Sequence, residues 1–183
     1  MREPHYRTSL GKSASQSQTL VAAAAAGALG KGLGIPEAMQ VVSLLKCRDP
    51  KVREEAVNTL ARYGGREYVS YIAGALRDSD IKVRVEACKA LGHLRAHAAK
   101  RELYDAVQDR NAYVRCAAAS ALGRMGDSYG LPYIARLVCI KGQHQVTALQ
   151  AYNLLSGRHF RLDAHGVTEA VKWIRAHHRN FFQ

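Results

Sequence analysis

Aromatic side chains are scarce in this chain, with one tryptophan and three phenylalanines beside nine tyrosines in 183 residues. A platform on which nucleic-acid bases could stack therefore has little to be built from. Long apolar runs are also missing. The longest, Leu20 to Leu29, spans ten residues, well under the ~20 that a membrane-crossing helix needs. Four cysteines (Cys47, Cys88, Cys116 and Cys139) stand far apart in apolar stretches, with no C-x-x-C pair among them. They read as reduced core residues, and a reducing intracellular compartment is expected, the cytoplasm first and an organelle second. Acidic residues are in short supply too. Fifteen Asp and Glu face 27 Lys and Arg, a net charge of +12, which suits a protein that attracts polyanionic surfaces.

The excess is unevenly spread. Residues 1–34 hold four bases and one acid, residues 35–127 sixteen and twelve, and residues 128–183 seven and two. The basic, Ser/Ala/Gly-rich segment 1–34 reads as a disordered or extended arm, with Ser17 to Leu29 as a capping helix ended by Gly30-Lys31-Gly32-Leu33-Gly34. Such an arm orders against a partner. Arg2, Arg7 and Lys12 among serines also leave a targeting segment open.

A shift of 31 residues superimposes the chain on itself. Asp49-Pro50-Lys51-Val52-Arg53 falls on Asp80-Ile81-Lys82-Val83-Arg84 and on Asn111-Ala112-Tyr113-Val114-Arg115, then Ala56, Ala87 and Ala118 coincide, as do Leu60, Leu91 and Leu122. Upstream, Val41 and Leu45 recur as Ile72 and Leu76, Leu103 and Val107, and Ile134 and Val138. Spacings of three and four mark helix faces, so each unit is helix A, a tight turn and helix B. Neither helix can bury its stripe alone, and stacking the units solves that. Asp49, Asp80 and Asn111 sit where an N-cap oxygen is needed, Pro50 occupies the first helical position, and Gly64-Gly65 and Gly126 end helix B.

The pattern D-x-x-V-R-x-x-A-x-x-x-L-[AG], as in Asp80 to Gly92, resembles the HEAT-like repeats of the phycobilisome-lyase type, over roughly residues 37–162. That resemblance implies an all-α, right-handed α-solenoid of about four helical hairpins with helical caps. The array is expected over 35–162 (about 37–65, 67–96, 97–127 and 128–162), followed by a C-terminal capping helix with a basic end over 163–183. The fourth repeat keeps its A helix but has Gln145 and Val146 in the Val and Arg columns. Val171, Trp173 and Ile174 are expected to cover the last open face.

In such arrays the B helices line a concave face. The resemblance thus implies a partner-binding groove carrying Lys51, Lys82, Lys89, Arg62, His93 and Arg124. It also implies that Arg53, Arg84 and Arg115 form a structural ladder, paired with the acidic column of neighbouring repeats, rather than a row of phosphate contacts. A second partner-binding cluster is the basic end, Arg158, Arg161, Lys172, Arg175 and Arg179, with His159, His177 and His178 nearby and only Asp163 and Glu169 among them.

Catalytic constellations are not evident. None of the eight histidines precedes a Glu, as the iron-dependent HEAT hydroxylases would require. His177-His178 lies between Arg175 and Arg179, a poor place for a metal cation. Gly27 to Gly32 lacks the spacing of a phosphate-binding loop. No catalytic, cofactor or metal site is assigned, and no nucleophile has a plausible base. The resulting expectation is a non-enzymatic scaffold or adaptor subunit that docks onto acidic protein surfaces within a larger assembly. RNA or DNA backbone binding is one alternative, and a bilin-lyase-type chaperone partner is another.

Overall fold

The computed structural model describes residues 35–182. The basic arm and the expected helix from Ser17 to Leu29 lie outside the described residues. Every regular element among the described residues is helical. Contacts divide the chain into two compact units, the first ending at Ala87 and the second beginning at Cys88.

The first unit contains α1 (Ile35–Leu44), α2 (Pro50–Thr59), α3 (Val69–Gly74) and the beginning of α4 (Ile81–His93). Asp49 caps α2 by accepting a hydrogen bond from Lys51 N at 2.9 Å, and Pro50 is its first helical residue. Asp80 does the same for α4, accepting from Lys82 N at 2.8 Å. Such a cap contributes about 1 kcal/mol. The apolar columns bury as their spacing demands at Val41, Val52, Ala56, Leu60, Ile72, Leu76 and Val83, while Leu45, past the end of α1, is only half-buried. Burying one such Val, Leu or Ile side chain is worth roughly 1.5–3 kcal/mol before entropic costs.

One departure from the repeat lies at the end of α2. Leu60–Gly64 forms a π turn, and the residue with positive φ is Gly65 (φ 69°) rather than the next in the 31-residue register, Gly64. A π turn uses one more residue per turn, so it moves the chain reversal on by one position.

The second unit continues α4 and adds α5 (Lys100–Ala106), α6 (Ala112–Arg124), α7 (Leu131–Cys139), α8 (Gln145–Ser156) and α9 (Ala164–His177), ending in a 3-10 turn, Arg179–Phe182. Asn111 caps α6, accepting from Tyr113 N and Val114 N. Asp163 caps α9 through Gly166 N at 2.8 Å. Helix α8 packs on both α6 and α7, while α9 lies on α7 and α8. Its buried residues are Gly166, Val167, Ala170 and Ile174, whereas Val171 and Trp173 remain half-buried. Trp173 is thus at the rim of the cap and not under it.

Here the chain reversals keep strict register. Arg95 (φ 46°), Gly126 (φ 72°) and Gly157 (φ 68°) are the positive-φ residues of this unit. Ala96 N donates to Leu91 O and Asp127 N donates to Leu122 O, the six-residue closure of a Schellman motif in both cases. Arg95 occupies a position where its neighbours in register are glycines, and a side chain in the left-handed region costs roughly 1–2 kcal/mol. Arg95→Gly should therefore stabilise the protein by about 0.5–1 kcal/mol, the backbone entropy of glycine offsetting the remainder. A urea midpoint no higher than that of the parent would contradict this account.

Candidate functional site

The arginine column is engaged by backbone and carboxylate acceptors. In the first unit Arg53 Nε and Nη2 donate to the two Asp78 carboxylate oxygens, both at 2.7 Å, and Arg53 Nη1 donates to Cys47 O at 2.8 Å and Arg48 O at 3.1 Å. Arg84 is buried, and its Nη1 reaches Asp78 O and Ser79 O. In the second unit Arg115 Nη1 likewise reaches Asp109 O and Arg110 O. Each arginine thus ties the A–B turn of its own repeat. The carboxylate comes from Asp78, two residues before the cap Asp80, whose Oδ1 accepts from the helix amides. Asp78 lies 25 residues beyond Arg53, and the same offset from Arg115 falls on Ile140, which is 56% exposed.

The B-helix columns are exposed in both units. Lys51, Arg62 and Lys82 belong to the first unit, and Lys89, His93 and Arg124 to the second.

The basic end is more elaborate. Arg158, Arg161, Lys172, Arg175 and Arg179 all project from the second unit and are all exposed. Helix α8 stops at Gly157 in the left-handed conformation, and the loop that follows is tied down at both ends. Ser156 Oγ accepts from Arg158 N at 3.3 Å. Asn153 clamps Phe160 twice, its Nδ2 donating to Phe160 O at 2.7 Å and its Oδ1 accepting from Phe160 N at 3.2 Å. The loop thereby lays the Arg158 guanidinium over the Trp173 ring, 3.5 Å from its centroid. On the same indole His177 is stacked at 4.3 Å and 6°, and Phe160 approaches at 6.3 Å. His178 stacks on Phe181 and is held below the ordinary imidazole range by burial, then by the positive neighbours His177 and Arg158. Beneath lies Tyr152, fully buried, its phenol pushed up to about 12 by burial.

The two carboxylates of this end are engaged. Asp163 caps α9 and pairs with Arg161 at 2.9 Å, and Glu169 lies 3.3 Å from His165. Arg175 is at the Cys139 thiol, and Arg136 donates through Nε to Phe181 O, pinning the final turn to α7. The pairing of Arg158 with Trp173 was not foreseen, since neither residue belongs to the 31-residue register. Pairing them from sequence would have required knowing that α9 folds back across α8.

A second cluster also escaped the sequence. Asp127 accepts from Lys100 Nζ at 2.8 Å, from Tyr104 Oη at 2.7 Å and from Tyr129 N at 3.0 Å, while the Tyr104 and Tyr129 rings lie 4.3 Å apart. The Lys100 bond, followed by the Tyr129 amide and Tyr104 hydroxyl and opposed by burial, brings the Asp127 carboxyl down to about 2. An unfolded aspartate titrates near ~3.9, so this stabilisation is complete above that pH and is lost as pH falls through the folded value. Asp127→Asn should remove up to about 2 kcal/mol at neutral pH and flatten the stability profile below about pH 4. Urea midpoints of parent and variant that fall in parallel on acidification would contradict that assignment.

No group of His, Cys, Asp and Glu among the described residues could hold a metal ion, and no described helix is long and apolar enough to cross a membrane.

Residues 69–152 match the family of HEAT repeats. Among characterised proteins none matches. A solved structure that is similar is the complex of CpcE and CpcF of phycocyanin lyase from Nostoc sp. PCC7120, at 22% identity and a TM-score of 0.53, covering 66% of this chain and 53% of that one. The chain thus spans about half the length of that neighbour. The likeness is one of fold: helical hairpins of the HEAT-like type, an α-solenoid.

Proposed function

We propose that this HEAT-like repeat chain is a non-enzymatic scaffold or adaptor subunit that docks onto acidic protein surfaces within a larger assembly. The observation that carries this reading is the state of the charges at the basic end. Its two carboxylates are engaged, while no carboxylate among the described residues pairs with Arg158, Lys172, Arg175 or Arg179. Exposed positive charge without an internal counterion favours an external one, which steers encounter and fixes register. The exposed B-helix cations add contacts on each unit, Lys51, Arg62 and Lys82 on the first and Lys89, His93 and Arg124 on the second.

The test is sedimentation of the native protein from a gentle lysate, with and without nuclease, for the parent and for R158Q/K172Q/R175Q/R179Q. Retention of the parent in a large nuclease-resistant particle, together with release of the quadruple variant, supports docking through the basic end. Release of the parent by nuclease makes nucleic acid the ligand instead. Retention of the quadruple variant, with release of R62A/H93A/R124A, moves the contact to the B-helix columns.

A second reading, a partner in a bilin lyase, draws on the CpcE and CpcF complex. Co-purification of a visible-light-absorbing tetrapyrrole would favour it.

A further inference from the structure

We propose that Arg158, held over the Trp173 ring, is the anchor that receives a carboxylate from an acidic protein segment, at the recess lined by Ser156, Gly157, Arg158, His159 and Phe160. The inference rests on the docking reading above and names the residues and partner chemistry of that contact.

Arg158 differs from the other cations at this end. Arg161 is already paired with Asp163, Arg175 is at the Cys139 thiol, and Lys172 is an exposed point charge. Among the described residues no acceptor takes a hydrogen bond from the Arg158 guanidinium. The group is nonetheless held in place: Gly157 turns the chain, Ser156 holds the Arg158 amide, Asn153 clamps Phe160, and the indole supports the guanidinium face. Stacking occupies the face of the cation and leaves its N–H edge free, the edge that a carboxylate meets with two parallel hydrogen bonds. A fork already fixed on an aromatic ring loses less conformational entropy on binding than a free side chain, and one side of it is already shielded from water. Arginine and tryptophan in contact match the composition of interface hot spots.

The occupant follows from what already stacks on Trp173. The Arg158 guanidinium lies 3.5 Å from the ring centroid, and His177 is stacked on the same indole, nearly parallel at 4.3 Å. A single-stranded nucleic acid would need an aromatic face for a base, and on this indole a base would compete with both of these partners. An acidic protein segment needs only the guanidinium edge and the surrounding positive field of Lys172, Arg175 and Arg179.

Trp173 is the sole tryptophan of the chain, so its emission reports on this site alone. The probes are a short peptide of alternating Glu and Gly and an oligouridylate of equal charge, titrated at low salt into the full chain. The peptide is expected to change Trp173 emission saturably. Arg158→Lys, which keeps the charge and loses the planar fork, should weaken that binding about tenfold, while Lys172→Gln should weaken it only two- to threefold, roughly. Asn153→Ala, which removes both hydrogen bonds to Phe160 and frees the loop, should fall between them and lower the urea midpoint, whereas Arg158→Lys should leave that midpoint in place.

Arg158→Lys binding the peptide as tightly as the parent overturns the anchor, as does an oligouridylate that binds more tightly than the peptide and loses as much on the same substitution. The sedimentation experiment separates the two levels. Release of the quadruple variant with full retention of Arg158→Lys leaves docking standing and removes the anchor. Full retention of both variants removes docking through this end altogether.

Discussion

Gly166→Ala should detach the C-terminal helix from the second unit and cost on the order of 3–5 kcal/mol. Gly166 is buried in the first turn of α9, and a Cβ placed on it would lie 2.0 Å from Arg161 O, 2.7 Å from Arg161 C and 2.8 Å from Arg161 N. All three obstacles are backbone, so no side-chain rotation relieves the clash. Either the segment from Arg161 to Asp163 moves, breaking the Asp163 to Gly166 cap, or α9 lifts and exposes Val167, Ala170 and Ile174. Both routes dismantle the surface that carries Trp173 and its stack with Arg158. The check is urea unfolding followed by Trp173 emission, beside Thr168→Ala as a control. Thr168 is exposed and its hydroxyl donates only to Ala164 O within the same helix, so its loss should stay within about 0.5 kcal/mol. A Gly166→Ala midpoint close to that of the control would mean that the loop yields freely. The same variant should also release the protein from its assembly if the basic end is the contact, since Lys172 and Arg175 travel with α9.

What could be read from the sequence was whatever recurs. Asp49, Asp80 and Asn111 were identifiable as caps because a side-chain oxygen must precede each B helix, and the structure places their hydrogen bonds on the helix amides. Ala56, Ala87 and Ala118 were identifiable as core by their spacing, and all three are fully buried. The features that escaped break the period or involve residues outside it. The π turn at Leu60–Gly64 leaves no composition signal, since glycine is expected at either of the two positions that could reverse the chain. Asp78 was passed over as the partner of Arg53 because the D-x-x-V-R spacing draws attention to Asp80, whose oxygen the helix amides already hold. The Asp127 cluster and the stack of Arg158 on Trp173 depend on which helix ends meet, and the 31-residue period says nothing about that. The proposed docking surface falls in this second class, as the basic end lies where the repeat gives out.

The other large effect concerns Arg53 and Asp78 in the first unit. Each side chain is only 12% exposed, and the two form a bidentate pair at 2.7 Å. Asp78→Ala leaves the guanidinium nearly buried with only the Cys47 and Arg48 carbonyls and should cost about 3 kcal/mol. Arg53→Met should cost less, since its stem still packs against the turn while Asp78 keeps the Asp80 amide at 2.8 Å. The double variant should cost less than the sum of the single ones by about 1.5–3 kcal/mol, because the second change removes a charge that the first left unpaired. Burial raises the Asp78 carboxyl, but the Arg53 bond, the Asp80 amide and the nearby positive charge outweigh it, so the folded value lies below the ordinary one. The contribution of the pair is therefore full above the unfolded carboxylate range and disappears as pH falls through the depressed value. Strict additivity across the cycle would show that the turn carbonyls alone hold Arg53. The same variants separate structure from docking. Arg53 is committed to Asp78 and to its own turn, so Arg53→Met should lower the urea midpoint and leave binding of the acidic peptide to the second unit unchanged. Arg158→Lys should do the reverse.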